Sequence, residues 1–326
     1  MARIGLVLGA GGVVGHAFHA GVLSALAEAT KWDPRSAEII VGTSAGSRVG
    51  AMLRAGVSAG DLAAFATGEP PSEDGARFLA RVGPPAKLPP FTLAGLFADF
   101  PTASSPRFLL RAALRPWEAR FGTVLAAALP AGRVSTEEMV AGLRQALGEG
   151  WPDRPLWICA VRLDDGRRVV FGQSGAPATA VATAVATAVA ASSAIPGFFT
   201  PVEHDGVRYV DGGVHSPTNL DLLQGLGLDL VVVSSPMSTV GGTLRFSADF
   251  PSRLLSRLRL AQEAQRVRAL GTAVVAFQPN PADQLVMGSN AMDPSRRRPV
   301  VHQARESVLR RLERKDFRER LVALDL

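Results

Sequence analysis

Continuous apolar runs and helical patterns alternate along the first 56 residues. Residues 3–8 form a short apolar run, and after a glycine turn the apolar positions of residues 13–29 recur at the spacing of an α-helix. The same succession follows at once, with a second apolar run at 37–42 and a second helical pattern at 44–56. Two strand–turn–helix units in succession predict a parallel sheet with helices on its faces.

The rest of the pattern predicts further elements of the same kinds. Helical periodicity is found over residues 107–128, 135–149, 177–196, 251–270 and 302–324. Apolar runs around Asp-Gly turns predict two β-hairpins, at 155–172 and 201–213. Continuous apolar runs at 228–236 and 272–279 predict two strands inside a parallel sheet. The predicted fold class is therefore α/β, with three α/β/α layers around a mainly parallel central sheet.

Residues 68–107 break this pattern. They hold eight prolines and short apolar islands, and we predict no periodic element there. A long irregular segment between regular elements is typical of a functional cover or a disordered insert.

The composition indicates the class of protein and gives its net charge. With 47% hydrophobic and 20% charged residues, the chain of 326 residues is globular rather than disordered. Its formal charge of +6 comes from arginine and favours anionic partners such as acidic lipid surfaces or nucleic acid, with compositional bias as the alternative. The single cysteine, Cys159, allows no internal disulfide and lies in an apolar run, so we interpret it as a buried thiol.

Two segments raise the question of a leader or a membrane span. The N-terminal apolar run resembles a weak signal sequence, but glycines interrupt it at once, and a first β-strand explains it better. Residues 169–202 carry no charge, yet small residues dominate them and Pro177 and Pro196 cut the run. We therefore predict no signal peptide, no transmembrane helix and a cytoplasmic protein, with peripheral contact at the inner face of the membrane as a further hypothesis.

The candidate chemistry centres on the pentapeptide GTSAG at residues 42–46. It follows a predicted strand and opens a predicted helix, which is the context that a nucleophile elbow requires. Gly42 and Gly46 remove side chains that would collide in so sharp a turn. Ser44 lies at a helix N-terminus, where the dipole and free N–H groups stabilise negative charge. We predict that Ser44 is a nucleophile, with a tight structural turn as the alternative.

A nucleophilic serine also needs an oxyanion hole. The glycine loop GAGGVVG at residues 9–15 lies at another strand-to-helix turn, and the N–H groups of Gly11 and Gly12 can point at a developing oxyanion. A dinucleotide-binding loop is the rival interpretation. It requires an acidic residue at the end of the second strand, where the chain reads VGTSAG instead.

The base of the reaction has two kinds of candidate. Asp211 ends a predicted strand before two glycines, and in a water-poor site its basicity would rise, although it could also serve only to form the turn. A triad would instead use a histidine, and His215 is the nearest of the five in sequence: His16, His19, His204, His215 and His302. We interpret His16 and His19 as helix-surface or helix-packing residues, because no carboxylate cluster accompanies them to hold a metal.

Three segments in order resemble the patatin-like phospholipases: LGAGGVVGHAFHAGVLSAL, VGTSAGS and ASSAIPGFFTPVEHDGVRYVDGG. The resemblance covers about residues 1–60 and 155–235. That family comprises lipid acyl hydrolases that use a Ser–Asp dyad without histidine. The resemblance implies that Ser44 is the nucleophile and Asp211 the base, and that the N–H groups of Gly11, Gly12 and Val13 form the oxyanion hole. The motif glycines are Gly9, Gly15, Gly42, Gly46, Gly212 and Gly213.

The resemblance also sets expectations for the whole chain. It implies one patatin-like domain over residues 1–326, with its core at about 1–67 and 136–280, a cover at 68–135 and a basic helical extension at 281–326. It implies hydrolysis of lipid carboxylic esters through an acyl-enzyme, without a metal or an organic cofactor. The partner is then a lipid or another hydrophobic ester. Nucleic acid is not expected, because the arginine-rich segments lack a recognition motif and interleaved aromatic residues.

The chain departs from the family at the glycine loop. The family pattern is G-G-G-x-Arg/Lys-G, whereas Ala10 fills the first of these positions here and Val14 fills the basic one. Both changes keep the backbone N–H groups, but they remove the basic side chain that could contact a phosphate. The sequence therefore leaves phospholipid and neutral ester open as substrates. It also leaves open a general esterase, a thioesterase and a non-catalytic lipid-binding protein of the same fold.

Two further segments suggest how lipid would reach the site. An apolar lid over an acyl pocket is one interpretation of the cluster Phe91, Leu93, Leu96, Phe97 and Phe100, and ordinary packing is the other. Residues 251–271 and the C-terminal helix are rich in arginine and favour salt-sensitive binding to anionic membranes. In residues 251–271, Arg253 and Arg257 lie one turn apart, and we expect the leucine stripe beside them to face the core.

Overall fold

A twisted mixed sheet forms the centre of the computed structural model, which describes residues 2–83, 88–92, 102–118, 120–148, 150–173, 184–240, 249–319 and 321. Its strands are β1 (Ile4–Leu8), β2 (Ile39–Thr43), β3 (Leu156–Arg162), β4 (Arg168–Phe171), β5 (Val202–His204), β6 (Val207–Asp211), β7 (Leu230–Ser234) and β8 (Ala273–Phe277). Their order is β5-β6-β3-β2-β1-β7-β8, and β4 pairs with β3. The strands from β3 to β8 along this order run parallel, while β4, β5 and β6 pair antiparallel.

Helices cover both faces of this sheet. They are α1 (Gly12–Thr30), α2 (Ala45–Arg54), α3 (Ala59–Thr67), α4 (Glu73–Val82), α5 (Pro106–Leu114), α6 (Phe121–Ala128), α7 (Glu137–Leu147), α8 (Val185–Ser193), α9 (Phe250–Arg268), α10 (Pro281–Met287), α11 (Arg297–Leu312) and α12 (Lys315–Arg318). Short 3₁₀ turns lie at Pro34–Ser36, Pro116–Glu118, Gly212–Val214, Leu220–Leu223 and Pro294–Arg296. The predicted α/β class with a mainly parallel central sheet is confirmed.

The alternation of side chains along β1 shows how the layers are divided. Leu6 and Leu8 point into a core shared with α1, α2, α8 and α11. Val7, between them, points into a second core that includes Leu260 and Val267 of α9. Both faces of β1 are fully buried, as expected for an inner strand of a parallel sheet.

Both predicted hairpins and both predicted apolar strands form, and the helical predictions hold with changes. Residues 107–128 contain two helices, α5 and α6, because Pro116 cannot continue the first. The C-terminal helix α11 begins at Arg297, five residues before its predicted start, and already ends at Leu312, so that the short helix α12 occupies part of the predicted span. Of the predicted helix at 177–196, α8 occupies 185–193, and residues 177–183 lie outside the described residues.

The prediction of no periodic element over residues 68–107 is wrong. Helix α4 forms there, with Ser72 at its N-cap accepting a hydrogen bond from the Gly75 N–H at 3.1 Å. Glu73 and Asp74 in its first turn favour the helix N-terminus. The prolines flank this helix rather than interrupt it. Of the predicted lid residues, Phe91 packs edge-on against Phe198 with ring centroids 5.2 Å apart, and the other four lie outside the described residues.

The leucine stripe of residues 251–271 does not face the core as expected. Leu254, Leu255 and Leu258 are exposed on α9. Arg253 turns inward instead and pairs with Asp249, their Nε and Oδ2 atoms 2.5 Å apart. In the described part of the chain, no helix combines the length and the apolarity that a membrane span requires.

Helix α11, which lies in the predicted C-terminal extension, packs closely on α1. A Cβ atom at Gly21 of α1 would collide with the carbonyl oxygen of Val301 and the side chain of Ala304. Val301, Ala304 and Val308 belong to the same core as the buried residues of α1. The division of the chain into core, cover and extension remains a prediction.

Candidate active site

Ser44 lies at the sharp turn between β2 and α2. Its backbone has φ 54° and ψ −119°, a conformation that a side chain disfavours and that is characteristic of a nucleophile elbow. The turn presses against β1, so that a Cβ atom at Gly46 would collide with the carbonyl oxygen of Leu8. A Cβ atom at Gly42 would meet the Cα atom of Ser47. The small residues of the motif therefore permit both the turn and its close packing.

Ser192 of α8 stabilises this turn through two hydrogen bonds. Its hydroxyl oxygen accepts a hydrogen bond from the Ser44 N–H at 2.9 Å, and its hydroxyl group donates to the Cys159 carbonyl at 2.6 Å. The side chain thereby ties the elbow to β3. Ser47 adds a second tie by donating its hydroxyl to the Ser44 carbonyl at 2.6 Å.

Replacing Ser192 with alanine should loosen the elbow. The Ser44 N–H and the Cys159 carbonyl would both lose a buried partner, so we expect a loss of about 1–3 kcal/mol in the free energy of unfolding. We also expect kcat to fall about tenfold, since small displacements of a nucleophile are costly. Urea unfolding and ester hydrolysis measure the two effects. Ser24→Ala, whose hydroxyl bonds only within α1, is the control, and equal behaviour of the two variants would refute the positioning role.

The sheet register brings Asp211 to Ser44. Strand β3 has only two edges, and β4 occupies one of them over Ile158–Val161. On the other edge β2 pairs as far as Thr43 opposite Cys159, and β6 takes over with Asp211 opposite Ala160. β2 and β6 thus meet end to end, and the residue that follows Thr43 is Ser44.

The Asp211 carboxyl group is buried, with 6% of the residue exposed. Burial raises its pKa to about 6, against the opposing effects of hydrogen bonds from the Ser44 side chain and the Gly213 N–H. The Gly213 N–H donates to Oδ1 at 2.7 Å, and the Asp211 N–H donates to the Ala194 carbonyl at 3.0 Å. A carboxyl with this pKa is mostly ionised at pH 7 and is a stronger base than an exposed aspartate.

The glycine loop presents free N–H groups beside this pair. The Gly9 N–H donates to the Ser234 carbonyl, the Ala10 N–H to Pro217 and the Val14 N–H to Ala291. Between them, the N–H groups of Gly11, Gly12 and Val13 have no acceptor within the described parts of the protein. These are the three predicted oxyanion-hole donors. Gly12 has φ +60°, and a Cβ atom there would collide with the Ala291 carbonyl.

His19 anchors this loop from inside the core. Its Nε2–H donates to the Gly9 carbonyl at 2.8 Å, which leaves Nδ1 to accept from the Ser234 hydroxyl at 2.8 Å. Burial lowers its pKa to about 4, so the ring is neutral at pH 7. The interpretation of His19 as a packing residue is confirmed.

His16 and His215 lie in different places. His16 lines the cavity beside Ser44 rather than the helix surface or a helix contact, and its pKa is lowered to about 3 by burial and by Arg48, His19 and Arg297. The pKa of His215 is also about 3, because of burial and the charges of Arg168 and Arg120. Among the described contacts, no hydrogen bond joins His215 to Ser44 or Asp211.

A buried polar network also stabilises the elbow, through the Thr43 side chain at the end of β2. Asn219 donates its side-chain N–H to the Thr43 hydroxyl at 3.0 Å and accepts from Arg168 at 3.0 Å, while Arg168 pairs with Asp221 at 2.7 Å. Glu263 of α9 accepts hydrogen bonds from the Ser216 and Thr218 hydroxyls. This network fixes the segment after Asp211 against the end of β2.

A cavity of about 200 Å³ opens at Ser44. Its apolar wall comes from α2, α3, α4 and the segment before residue 92, through Met52, Phe65, Leu79, Val82 and Leu88. Gly12 and Val13 of the glycine loop also line it. An apolar chain attached to a group at Ser44 would fit this space.

Other potential ligands are few in the part of the chain that the structure describes. No group of three or more His, Cys, Asp or Glu side chains there is placed to hold a metal ion. Cys159 is fully buried, which confirms the interpretation of a buried thiol, and burial raises its pKa to about 12.

Comparison with known proteins places this geometry in a family. VipD from Legionella pneumophila is 16% identical with a TM-score of 0.42, and the match covers 100% of this chain and 67% of VipD. The type III effector protein ExoU is 16% identical with a TM-score of 0.39, and the match covers 98% of this chain and 53% of ExoU. The chain thus spans about half the length of ExoU. Among curated proteins none matches the chain.

A family model, Patatin-like phospholipase, matches residues 6–223, which include the glycine loop, the elbow and Asp211. The chain belongs to the patatin-like phospholipase family.

Proposed function

We propose that the protein hydrolyses carboxylic esters of lipids, with Ser44 as the nucleophile and Asp211 as the general base. The observation that carries the proposal is the sheet register, which brings the buried Asp211 carboxyl group to Ser44 at a strained strand–helix turn, close enough for the Ser44 side chain to affect the pKa of Asp211. Three unpartnered N–H groups lie on the loop beside this pair. Nucleophile, base and oxyanion donors are the three parts that acyl transfer requires.

The proposed reaction has two halves. In the first, Asp211 takes the hydroxyl proton as the Ser44 oxygen attacks the ester carbonyl, and the N–H groups of Gly11, Gly12 and Val13 stabilise the oxyanion. The tetrahedral intermediate collapses, Asp211 returns the proton to the leaving alcohol, and an acyl-enzyme remains. In the second half, Asp211 takes a proton from water, the hydroxide attacks the acyl carbonyl, and the fatty acid leaves as the Ser44 hydroxyl is restored.

The cavity favours an acyl chain as the group bound next to Ser44. Its methionine, leucine, valine and phenylalanine side chains form an apolar wall that suits a hydrocarbon chain, beside the polar residues of the same lining. Apolar surroundings also strengthen the hydrogen bonds to the oxyanion.

A substrate panel tests the function itself. Fatty acid release is measured from a phospholipid, a diacylglycerol, a p-nitrophenyl ester and an acyl thioester with the same acyl chain. We expect the lipid esters to be hydrolysed with the largest kcat/KM. A preference for the thioester would identify a thioesterase. A folded protein that releases no fatty acid and reacts with no fluorophosphonate would indicate a lipid-binding protein without catalysis.

We also propose that the protein meets its substrate at an anionic membrane, through a surface that the sequence did not indicate. The exposed apolar patch consists of the side chains of Leu110, Leu114, Trp117, Phe121 and Leu125 on α5, α6 and the turn between them. Trp117 and Phe121 are 79% and 80% exposed. Exposed tryptophan beside leucine and phenylalanine is typical of membrane-interface contact.

Charge and position support this surface. Arg107, Arg111 and Arg115 are exposed on the same segment, and each arginine near an anionic bilayer contributes about 1 kcal/mol. The close approach of Gly122 to the Val214 carbonyl puts the start of α6 against the turn that follows Asp211. The patch therefore lies close to the candidate site.

The double variant Trp117→Ser/Phe121→Ser should lose membrane binding. Each side chain contributes about 1.5–3 kcal/mol when it is buried in lipid, so binding to phosphatidylglycerol vesicles should fall at least about tenfold. Hydrolysis of a soluble short-chain ester should not change. Leu285→Ser, which is 71% exposed on α10, is the matched control.

Co-sedimentation at low and high salt measures the binding. We expect weaker binding at high salt and to neutral vesicles, since arginines contribute to it. Equal binding of the double variant and the control variant would refute the patch as the docking surface.

A further inference from the structure

Two arginines share the cavity with Ser44. Arg48 lies on the face of α2 that begins at Ser44, one helical turn further on. Arg297, the first residue of α11, and His16 of α1 line the same cavity. No aspartate or glutamate is among the described residues that line this cavity.

The two guanidinium groups repel each other. Burial lowers the pKa of both, and Arg297 lowers the pKa of Arg48 further. Both arginines also lower the pKa of His16, so the ring is neutral and adds no third charge at pH 7. Two like charges in a confined space are unfavourable unless an opposite charge joins them.

Two other inward-facing arginines have such a partner. Arg253 pairs with Asp249 and Arg168 with Asp221. Arg48 donates instead to a neutral group, the Met139 carbonyl, at 2.7 Å. Within the described residues, neither Arg48 nor Arg297 forms an ion pair, so their charges are available to an anionic ligand.

We propose that Arg48 and Arg297 bind the anionic group of the substrate, the phosphodiester of a phospholipid, while its ester lies at Ser44. In a glycerophospholipid the phosphate and one acyl ester are on neighbouring carbons of glycerol, so the two groups are only a few bonds apart. Arg48 and Ser44 are separated by one helical turn, which suits such a substrate. Arginine is well matched to phosphate because its planar fork donates two parallel hydrogen bonds.

This assignment rests on the proposed ester hydrolysis and specifies its substrate. It also bears on the choice between phospholipid and neutral ester, which Val14 in the basic position of the glycine loop left open. Position 14 of the glycine loop cannot supply a cation, and Val14 is buried with its N–H bonded to Ala291. The positive charge at the site comes instead from two other helices, α2 and α11.

Kinetics with matched substrates test the assignment. Dihexanoyl phosphatidylglycerol and dihexanoylglycerol carry the same acyl chains and differ in the anionic group. In Arg297→Gln, kcat/KM for the phospholipid should fall about tenfold or more through the loss of a charge-assisted hydrogen bond. The value for dihexanoylglycerol should change less than about twofold. Arg298→Gln, one residue further and exposed, is the control and should leave both values unchanged.

Arg48→Lys and Arg297→Lys separate charge from geometry. We expect each to retain part of the phospholipid activity, because lysine keeps the charge but not the bidentate fork. An unchanged ratio of the two kcat/KM values in Arg297→Gln would overturn the assignment. Thermal unfolding of each variant shows whether the fold is retained.

A binding measurement tests the anion site even if the protein does not hydrolyse esters. Ser44→Ala and Ser44→Ala/Arg297→Gln are titrated with dihexanoyl phosphatidylglycerol, with octanoate and with inorganic phosphate. Tenfold weaker binding of the phospholipid in the double variant supports the assignment. Weakening for octanoate alone would show that the anion site takes the carboxylate of the product and would overturn the phosphodiester. Weakening for phosphate alone would show a site for free phosphate, with the same consequence, and no weakening for any of the three would overturn the anion site itself.

Discussion

Ser44→Ala is expected to lower ester hydrolysis by at least about 10⁴-fold. Without the hydroxyl no acyl-enzyme can form, and the other groups of the site retain only the small effect of binding and oxyanion stabilisation. The substitution removes one buried oxygen atom and leaves the Ser44 backbone bonds to Ser192 and Ser47 in place. Stability should therefore change by less than about 1 kcal/mol.

Fatty acid release and thermal unfolding test this expectation together. The elbow is already strained at φ 54°, and alanine at this position has the same backbone preference as serine, so a large drop in melting temperature is not expected. Ser192→Ala, which loosens the same turn but keeps the hydroxyl, should be far more active than Ser44→Ala. Retention of most of the activity by a folded Ser44→Ala protein would rule out Ser44 as the nucleophile.

Asp211→Asn is expected to lower kcat by about 10²–10⁴-fold, the usual effect of removing a general base. Asparagine has nearly the same shape, and its side-chain oxygen can still accept from the Gly213 N–H, which now donates to Asp211 at 2.7 Å. It cannot take a proton from Ser44. The loss should therefore appear in kcat with little change in KM.

The pH profile of the wild-type enzyme reports on the same group. Burial raises the pKa of Asp211 to about 6, so below pH 6 the carboxyl is protonated and cannot act as a base. We expect kcat/KM to rise with pH up to a break near pH 6 and to level off above it. An exposed aspartate would place the break near its ordinary value of about 3.9. Asp211→Asn should remove the break.

Histidine variants provide the control for the dyad. His215→Ala and His16→Ala should each lower kcat less than about tenfold, since no described hydrogen bond joins either ring to Ser44. If His215→Ala were as damaging as Asp211→Asn in a folded protein, a histidine would be the base and the dyad would be wrong.

The sequence indicated the parts of the candidate site that are short motifs. Ser44, Asp211 and the loop at 9–15 each carry their own glycines, because a sharp turn or a close approach needs them whatever the rest of the chain does. The strand–turn–helix succession predicted the parallel sheet for a similar reason, since alternation and periodicity are local properties.

The residues that the sequence did not indicate act through distant partners. Ser192 lies 148 positions from Ser44, and Asn219 lies 176 positions from Thr43. Arg297 reaches the cavity only because α11 packs against α1, a contact that no local pattern encodes. Helix α4 was missed because the prolines around it dominated the pattern, and the leucines of α9 were expected to be buried because periodicity identifies an apolar face but not what covers it.

The central claim is that Ser44 is the nucleophile and that Asp211 activates it. The most direct measurement treats the protein with a fluorophosphonate, digests it and locates the adduct by mass spectrometry, with the rate of labelling followed in parallel. We predict one adduct, on Ser44, that forms at least about 100-fold more slowly in Asp211→Asn. An adduct on another residue, or labelling of Asp211→Asn at the wild-type rate, would contradict the account.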